Sequence, residues 1–122
     1  MNFDFSDDEK RLKEEAHSFL TDRCPPKAAR RVLEGELPFD RDLWRGVAEL
    51  GWTGAAIPEA YGGVGLGHVG LCAIAEELGA ALAPIPFASS IYLAAEALLL
   101  AGTEAQKSRW LPKLATGELI GT

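Results

Sequence analysis

The stretch Ile57-Pro58-Glu59-Ala60-Tyr61-Gly62-Gly63-Val64-Gly65-Leu66-Gly67 divides the chain, because its glycines are too dense for a helix interior. Each glycine inside a helix would cost about 1 kcal/mol relative to alanine. Helical patterns end before the stretch at Gly51 and resume after it, up to Glu76-Glu77-Leu78-Gly79. We therefore predict a compact loop between two helices, with positive φ at some of its glycines.

Glycine-rich loops also bind phosphates, so the loop must be compared with the dinucleotide-binding fingerprint. That fingerprint is G-x-G-x-x-G placed directly after a strand, with an acidic residue about 20 positions later. Here Gly63 and Gly65 are followed by His68 at the position of the last glycine, and no P-loop lysine follows. The pattern favours a structural turn, and we predict no cofactor-binding residue.

Capping signals and apolar periodicity predict helices on both sides of the loop. Ser6 and Glu9 form a capping box at the start of the first helix, and Thr103 and Gln106 form another at the start of the last. The predicted helices span residues 7–23, 27–33, 41–50, 68–82, 89 or 90 to 101, and 104–116. Residues 118–122 tolerate β-structure and look like the first residues of a strand.

These elements predict an all-α domain, a compact bundle of about five to six helices over residues 1–122. The fifth helix is unusual, because residues 91–101 are apolar on nearly every side. Such a helix is buried on most sides or is covered by another domain. We predict that Ser89 or Ser90 is the N-cap residue of this helix.

Charge and composition exclude several classes of partner. The net charge of −6 argues against nucleic acids and anionic membranes, which bind basic surfaces. The longest apolar run is too short to span a bilayer. Cys24 and Cys72 have no metal-ligand spacing, and we expect two buried or partly buried thiols in a reducing, cytoplasmic compartment.

The residues alone reveal no active site. Neither histidine lies near a serine or cysteine in a sequence context typical of a nucleophile, and His17 stands among charged residues, which indicates a solvated side chain. Glu76 and Glu77 are adjacent, so they point about 100° apart on a helix and do not form a shared-proton dyad. We therefore predict no catalytic residue and no metal ligand in this chain.

Several separate segments together resemble the N-terminal helical domain of the acyl-CoA dehydrogenase family. They are Phe5-Ser6 with the acid-rich helix start that follows, Leu50-Gly51-Trp52, the stretch from Ile57 to Gly65, Glu76-Glu77-Leu78-Gly79, the segment from Gly102 to Lys107, and the segment from Trp110 to Glu118. Their order and spacing along nearly the whole chain make the resemblance specific.

This resemblance implies a flavoenzyme with three parts: this helical domain, a middle β-domain and a C-terminal helical bundle. The family binds FAD and an acyl-CoA thioester, passes electrons to an electron-transferring flavoprotein, and forms homo- or hetero-oligomers. The chain stops where the family enters its β-domain, so we expect the isolated chain to be inactive and not to bind FAD.

The resemblance also implies that this domain supplies one wall of the acyl pocket. The corresponding segment runs from Ile85 to Tyr92, and the candidate substrate-binding residues are Phe87, Ser89, Ser90 and Tyr92. Core packing of the two rings and helix capping by the serines remain open for the same residues. A flavin-dependent monooxygenase or oxidase, and a non-catalytic helical partner-binding subunit, are the alternatives to a dehydrogenase.

Overall fold

The computed structural model describes residues 3–122, which contain six α-helices and one π-helix but no β-strand. The helices are α1 (Asp7–Arg23), α2 (Pro26–Leu33), α3 (Arg41–Glu49), α4 (Gly67–Ala80), the π-helix (Ala88–Ala95), α5 (Glu96–Ala101) and α6 (Glu104–Ala115). Two 3-10 turns, Trp52–Gly54 and Glu59–Tyr61, lie between α3 and α4. The all-α prediction is confirmed. None of the helices in this range combines the length and hydrophobicity needed to cross a membrane.

The first compact unit comprises residues 3–40 and 68–84, with α1, α2 and nearly all of α4. Leu20 of α1 and Ile74 of α4 are among its buried side chains. The predicted capping box of α1 is confirmed: the Glu9 N–H donates to Ser6 Oγ (3.3 Å), and the Ser6 N–H donates to the Glu9 carboxylate (2.8 Å). Helix α1 has the predicted bounds because this cap fixes its start.

Helix α4 ends two residues earlier than predicted, because Leu82 adopts a left-handed conformation with φ of +52°. The Leu82 N–H donates to the carbonyl of Gly79 (3.1 Å), and the Ala83 N–H donates to the carbonyl of Leu78 (3.0 Å). These two bonds form a Schellman motif with Leu82 at the position that glycine usually occupies. The helix therefore ends through a conformation that is unfavourable for leucine.

The second compact unit comprises residues 41–67 and 85–122. Its hydrophobic cluster consists of Ile57, Ala95, Leu111, Leu114 and Ala115. Two side chains bind carbonyl groups at the end of α6: Thr53 Oγ1 donates to Ala115 (2.6 Å), and Trp44 Nε1 donates to Gly117 (3.0 Å). Such carbonyls have no partner within their own helix, so these bonds tie α6 to the segments that precede the glycine loop.

The glycine loop folds back on the 3-10 turns before it. The N–H groups of Gly63, Val64, Gly65 and Leu66 donate to the carbonyls of Pro58, Gly54, Ile57 and Ala55, respectively. Gly62 has a φ of +82°, and a Cβ atom on Gly63 would overlap the carbonyl group of Ile57. The prediction of a structural turn is confirmed.

The predicted serine cap of the fifth helix is wrong. The helical segment already includes Phe87, continues as a π-helix over Ala88–Ala95 and becomes α-helical in α5. The Ser89 hydroxyl donates to the carbonyl of Pro86 (3.3 Å), and the Ser90 hydroxyl accepts from the N–H of Gly121 (3.2 Å). Neither hydroxyl therefore caps the start of this helical segment.

Two smaller expectations also need correction. Residues 118–122 form no strand within the described part of the chain; instead the Leu119 N–H donates to the carbonyl of Lys113 (3.1 Å), and Leu119 packs against the hydrophobic cluster. Cys24 is buried as predicted, but Cys72 is exposed. Its neighbours Leu71 and Ala73 are buried, so Cys72 occupies the outer face of α4.

Candidate functional site

Two of the four candidate substrate-binding residues form an aromatic pair at the π-helix. The rings of Phe87 and Tyr92 meet edge to face, with centroids 5.5 Å apart and planes at 71°. Phe87 is buried, whereas Tyr92 is half-buried. Such a pair contributes roughly 0.5–1.5 kcal/mol beyond the burial of its area. Phe87 therefore supports Tyr92 from the interior, and Tyr92 reaches the surface.

The two serines lie in different surroundings. Ser90 is completely buried, and its hydroxyl accepts the N–H of Gly121. Ser89 is half-buried, and its hydroxyl bonds within its own turn to the Pro86 carbonyl. Ser90 is thus enclosed by the fold, whereas Ser89 remains close to the surface beside Tyr92.

Sequence reasoning missed an exposed apolar face that continues from these residues. Leu93 is 65% exposed and Leu100 is 79% exposed, and Ala97 between them is exposed as well. The spacing of four and three residues places them on one side of the helix. We call these three residues the apolar face. The signal for it was the scarcity of polar residues in the predicted fifth helix, where Glu96 is the one charged residue.

The surface formed by the π-helix and α5 can line a pocket, but it carries few charged groups. Residues 88–101 contain one charged side chain, Glu96, and it is half-buried. The surface can bury apolar groups of a ligand, and Glu96 is the one carboxylate among residues 88–101. A π-helix within a longer helix is also frequent at functional sites.

One titratable pair lies elsewhere in the second unit. The Tyr61 hydroxyl donates to both carboxylate oxygens of Glu104, at 2.8 and 3.0 Å. This hydrogen bond, together with desolvation and the charge of Glu104, raises the pKa of Tyr61 above its ordinary value. The phenol therefore stays protonated at neutral pH and fixes the start of α6.

The first unit contains a groove of about 320 Å³ between the ends of α1 and α4, lined by His17, Leu20, Thr21, Cys24, Pro25, Pro26, Glu77, Ala80, Ala81 and Leu82. At its rim, His17 Nδ1 lies 2.8 Å from a carboxylate oxygen of Glu77, so the ring of His17 is solvated, as predicted, but paired. Burial raises the pKa of the Cys24 thiol, and its Sγ donates to the Ala81 carbonyl (3.7 Å). A protonated, hydrogen-bonded thiol is a poor nucleophile.

The two adjacent glutamates of α4 bind different partners on α1. Glu76 accepts from the ammonium group of Lys13, and this hydrogen bond raises the pKa of Lys13. Glu77 faces His17 instead. The two carboxylates thus do not share a proton. Across residues 3–122, no three His, Cys, Asp or Glu side chains gather closely enough to hold a metal ion.

A comparison with known protein families connects these features. The model of the acyl-CoA dehydrogenase N-terminal domain matches residues 6–118. The chain belongs to this family. The resemblance inferred from the sequence is therefore confirmed, and the two capping boxes and the glycine loop lie within the matched range.

Individual relatives show how much of an acyl-CoA dehydrogenase the chain covers. The mitochondrial isovaleryl-CoA dehydrogenase of Arabidopsis thaliana is 34% identical over 119 residues, which are 96% of this chain and 29% of the relative. A chain of the ChsE4–ChsE5 complex of Mycobacterium tuberculosis is 31% identical, with a TM-score of 0.87. The match covers 98% of this chain and 33% of the chain in the complex.

An acyl-CoA dehydrogenase of Bacillus anthracis, solved as a complex with FAD, is 33% identical with a TM-score of 0.83. The match covers 96% of this chain and 20% of that chain. The acyl-CoA dehydrogenase domain described here thus spans a third or less of each of these three proteins.

Proposed function

We propose that the chain is the N-terminal helical domain of a longer, FAD-dependent acyl-CoA dehydrogenase, which converts an acyl-CoA thioester into its α,β-unsaturated form. The observation that carries this proposal is the family match over residues 6–118, together with a relative of which the chain covers only 29%. In such an enzyme FAD supplies the redox chemistry, and the protein orients the substrate against it.

In this proposal, the chain supplies one wall of the pocket that holds the acyl group. Ser89 and Tyr92 reach the surface of the π-helix segment, whereas Phe87 and Ser90 are buried. Burying an apolar chain against this surface contributes about 0.8 kcal/mol for each methylene group. The apolar face that follows is, in this proposal, covered by the rest of the longer enzyme, because an exposed apolar surface of this kind marks a contact region.

The glycine loop offers no cradle for FAD. The four consecutive amides of the glycine loop, from Gly63 to Leu66, already donate to backbone carbonyls and are not available for a pyrophosphate. The loop therefore does not fit the cofactor. We assign FAD binding, and the carboxylate that removes the α-proton, to other segments of the longer enzyme.

Related structures support the proposed partners. A structure described as the electron transferring flavoprotein of Acidaminococcus fermentans matches with 28% identity and a TM-score of 0.81, over 98% of this chain and 32% of that chain. The ChsE4–ChsE5 structure is a complex of two proteins, which supports a homo- or hetero-oligomer. The net charge of −6 is in keeping with a partner other than nucleic acid.

An oxidase is the second candidate, because one similar structure is of that kind. The prolyl acyl carrier protein oxidase AnaB is 25% identical, with a TM-score of 0.81, over 96% of this chain and 32% of that chain. An oxidase on this scaffold would use the same wall but reduce oxygen instead of an electron-transferring protein. The two reactions differ in their electron acceptor, which makes them separable by experiment.

The test compares the 122-residue chain with the longer protein that carries it. Both are purified, examined for flavin absorbance, and supplied with isovaleryl-CoA, butyryl-CoA or glutaryl-CoA and an electron-accepting dye. We expect bound FAD and dye reduction in the longer protein and neither in the chain alone. Oxygen consumption without dye reduction would favour the oxidase.

Other outcomes would overturn parts of the proposal. Retention of FAD by the 122-residue chain would contradict the assignment of the cofactor to other segments. A longer protein that binds no flavin and oxidises no thioester would instead be a non-catalytic companion subunit. A cytoplasmic location remains a prediction, whereas the Arabidopsis relative is mitochondrial. Cell fractionation decides between the two compartments.

A further inference from the structure

The segment after α6, residues 118–122, is attached to the π-helix at one point. The N–H of Gly121 donates to the hydroxyl of Ser90 (3.2 Å), which is completely buried. Before this point, Leu119 is held by the Lys113 carbonyl and by the hydrophobic cluster. The tail therefore follows a defined path over the helix that carries Phe87 and Tyr92.

Gly121 also comes close to the helix backbone. A Cβ atom on Gly121 would overlap the Cβ of Ala94 and would lie 3.7 Å from the Cα of Ser90. The φ of Gly121 is not in the left-handed region, so contact with the helix, and not backbone conformation, is what favours glycine here. Serine and alanine on the helix and glycine on the tail allow the two segments to touch.

We propose that Ser90 is a positioning residue for the acyl pocket: its hydroxyl fixes residues 118–122 against the π-helix and thereby sets the position of Tyr92 relative to the polypeptide that continues from the tail. This inference rests on the proposed function. It assigns Ser90 a role without substrate contact, because its side chain has no exposed surface. In this proposal Tyr92 and Ser89 remain the residues that meet the acyl group.

The first arm of the test measures the tail contact in the 122-residue chain. Ser90→Ala removes the acceptor of the Gly121 N–H. We expect hydrogen exchange of this amide to become about three- to tenfold faster, the change that corresponds to one hydrogen bond. Thr21→Val is the control, because it removes a hydroxyl that donates to the His17 carbonyl in the first unit. It leaves the exchange of Gly121 unchanged.

The second arm tests the close approach of the tail to the helix by moving one methyl group from the helix to the tail. Gly121→Ala adds the methyl group that would overlap Ala94, so it displaces the tail and speeds exchange of the residue 121 amide. Combining it with Ala94→Gly removes the overlapping atom and restores slow exchange. Such a rescue identifies a direct contact, since two unrelated losses of stability would add.

The third arm reads the effect on substrate choice in the longer enzyme. Ser90→Ala changes the ratio of kcat/KM for butyryl-CoA and isovaleryl-CoA by about threefold or more, while a general loss of folded protein would lower both values equally. An unchanged ratio, or unchanged exchange of Gly121, overturns the positioning role. If the parent enzyme oxidises no acyl-CoA thioester, the proposed function and the positioning role fail together, while the exchange data still show whether the tail contact exists.

Discussion

Gly63 is the residue at which the glycine loop is least tolerant of a side chain. Any Cβ at this position meets the backbone carbonyl of Ile57, which itself accepts the N–H of Gly65. We expect Gly63→Ala to destabilise the chain by about 3 kcal/mol, since neither backbone segment can move without losing hydrogen bonds. Chemical denaturation measures the change.

Gly79→Ala is the control, because Gly79 lies within α4 and a Cβ atom there would meet no neighbouring atom. This variant should stabilise the chain by about 0.5–1 kcal/mol. Equal stabilities for the two variants would contradict this account of the loop.

Leu82 is the one non-glycine residue with positive φ among residues 3–122, and it is 68% exposed. Leu82→Gly relieves the left-handed strain at the C-terminal end of α4 and removes little packing. We expect the variant to be more stable by about 1 kcal/mol. Thermal unfolding would show this as a higher Tm. Leu82→Ala keeps the strain and serves as the comparison; if alanine stabilised as much as glycine, strain would not be the cause.

The hydrogen bond that the Tyr61 hydroxyl donates to Glu104 raises the pKa of Tyr61 above the ordinary tyrosine value. Since the folded-state pKa lies above the unfolded value of about 10, the pair stabilises the fold below pH 10, and this contribution is lost as the pH rises through the folded pKa. The chain has two tyrosines, so Tyr92→Phe isolates the Tyr61 signal in an ultraviolet titration. Adding Glu104→Gln should lower the measured pKa. No change would show that Glu104 does not control Tyr61.

At the scale of single elements, the sequence predicted best those helices whose ends are set locally. The capping boxes at Ser6 and Thr103 each depend on residues three positions apart, and both are present in the structure. Gly51 has a φ of +81° just beyond α3, as its position after Leu50 indicates. Local hydrogen bonds decide these ends, so local sequence is sufficient to predict them.

The π-helix was not predictable in the same way. Its residues are mostly small or apolar, so hydrophobic periodicity could not distinguish one helical hydrogen-bonding pattern from another. The Ser90 hydroxyl bonds to a residue 31 positions away, and no local signal reveals such a partner. The same applies to Leu82, where a left-handed leucine ended α4 in place of the expected continuation.

The capping box of α6 offers a test at this scale. Thr103 Oγ1 accepts from the Gln106 N–H (3.2 Å), and the Gln106 side chain accepts from the Thr103 N–H (2.9 Å). Thr103→Ala should destabilise the chain by about 1 kcal/mol, since one helix-end donor loses its partner. Thr103→Ser retains the hydroxyl and should stay close to the parent in denaturant unfolding. A serine variant as unstable as the alanine variant would point to packing of the threonine methyl instead.

At the scale of the whole molecule, the sequence predicted the family better than the site. Segments spread over the chain identify the acyl-CoA dehydrogenase family, which the match over residues 6–118 confirms. The candidate residues came from one segment without a fixed motif, and burial separates them: Ser90 and Phe87 are enclosed, whereas Ser89 and Tyr92 reach the surface. Burial depends on the tail and the tertiary packing, so spacing along the helix could not predict it.

The apolar face provides the last test, because it distinguishes a self-contained domain from one that is covered in a larger enzyme. Leu93 and Leu100 are 65% and 79% exposed, whereas Leu111 is completely buried. In the 122-residue chain we expect Leu93→Ser with Leu100→Ser to change stability by only about 0.5 kcal/mol, and Leu111→Ala to destabilise by about 3 kcal/mol. In the longer enzyme the double variant should cost several times more than in the chain, since there these leucines are proposed to lie in a contact between domains or subunits. Denaturant unfolding of both proteins measures the difference. Equal costs in the two proteins would mean that nothing covers the apolar face, and the proposal that it is built for a neighbouring domain would fail.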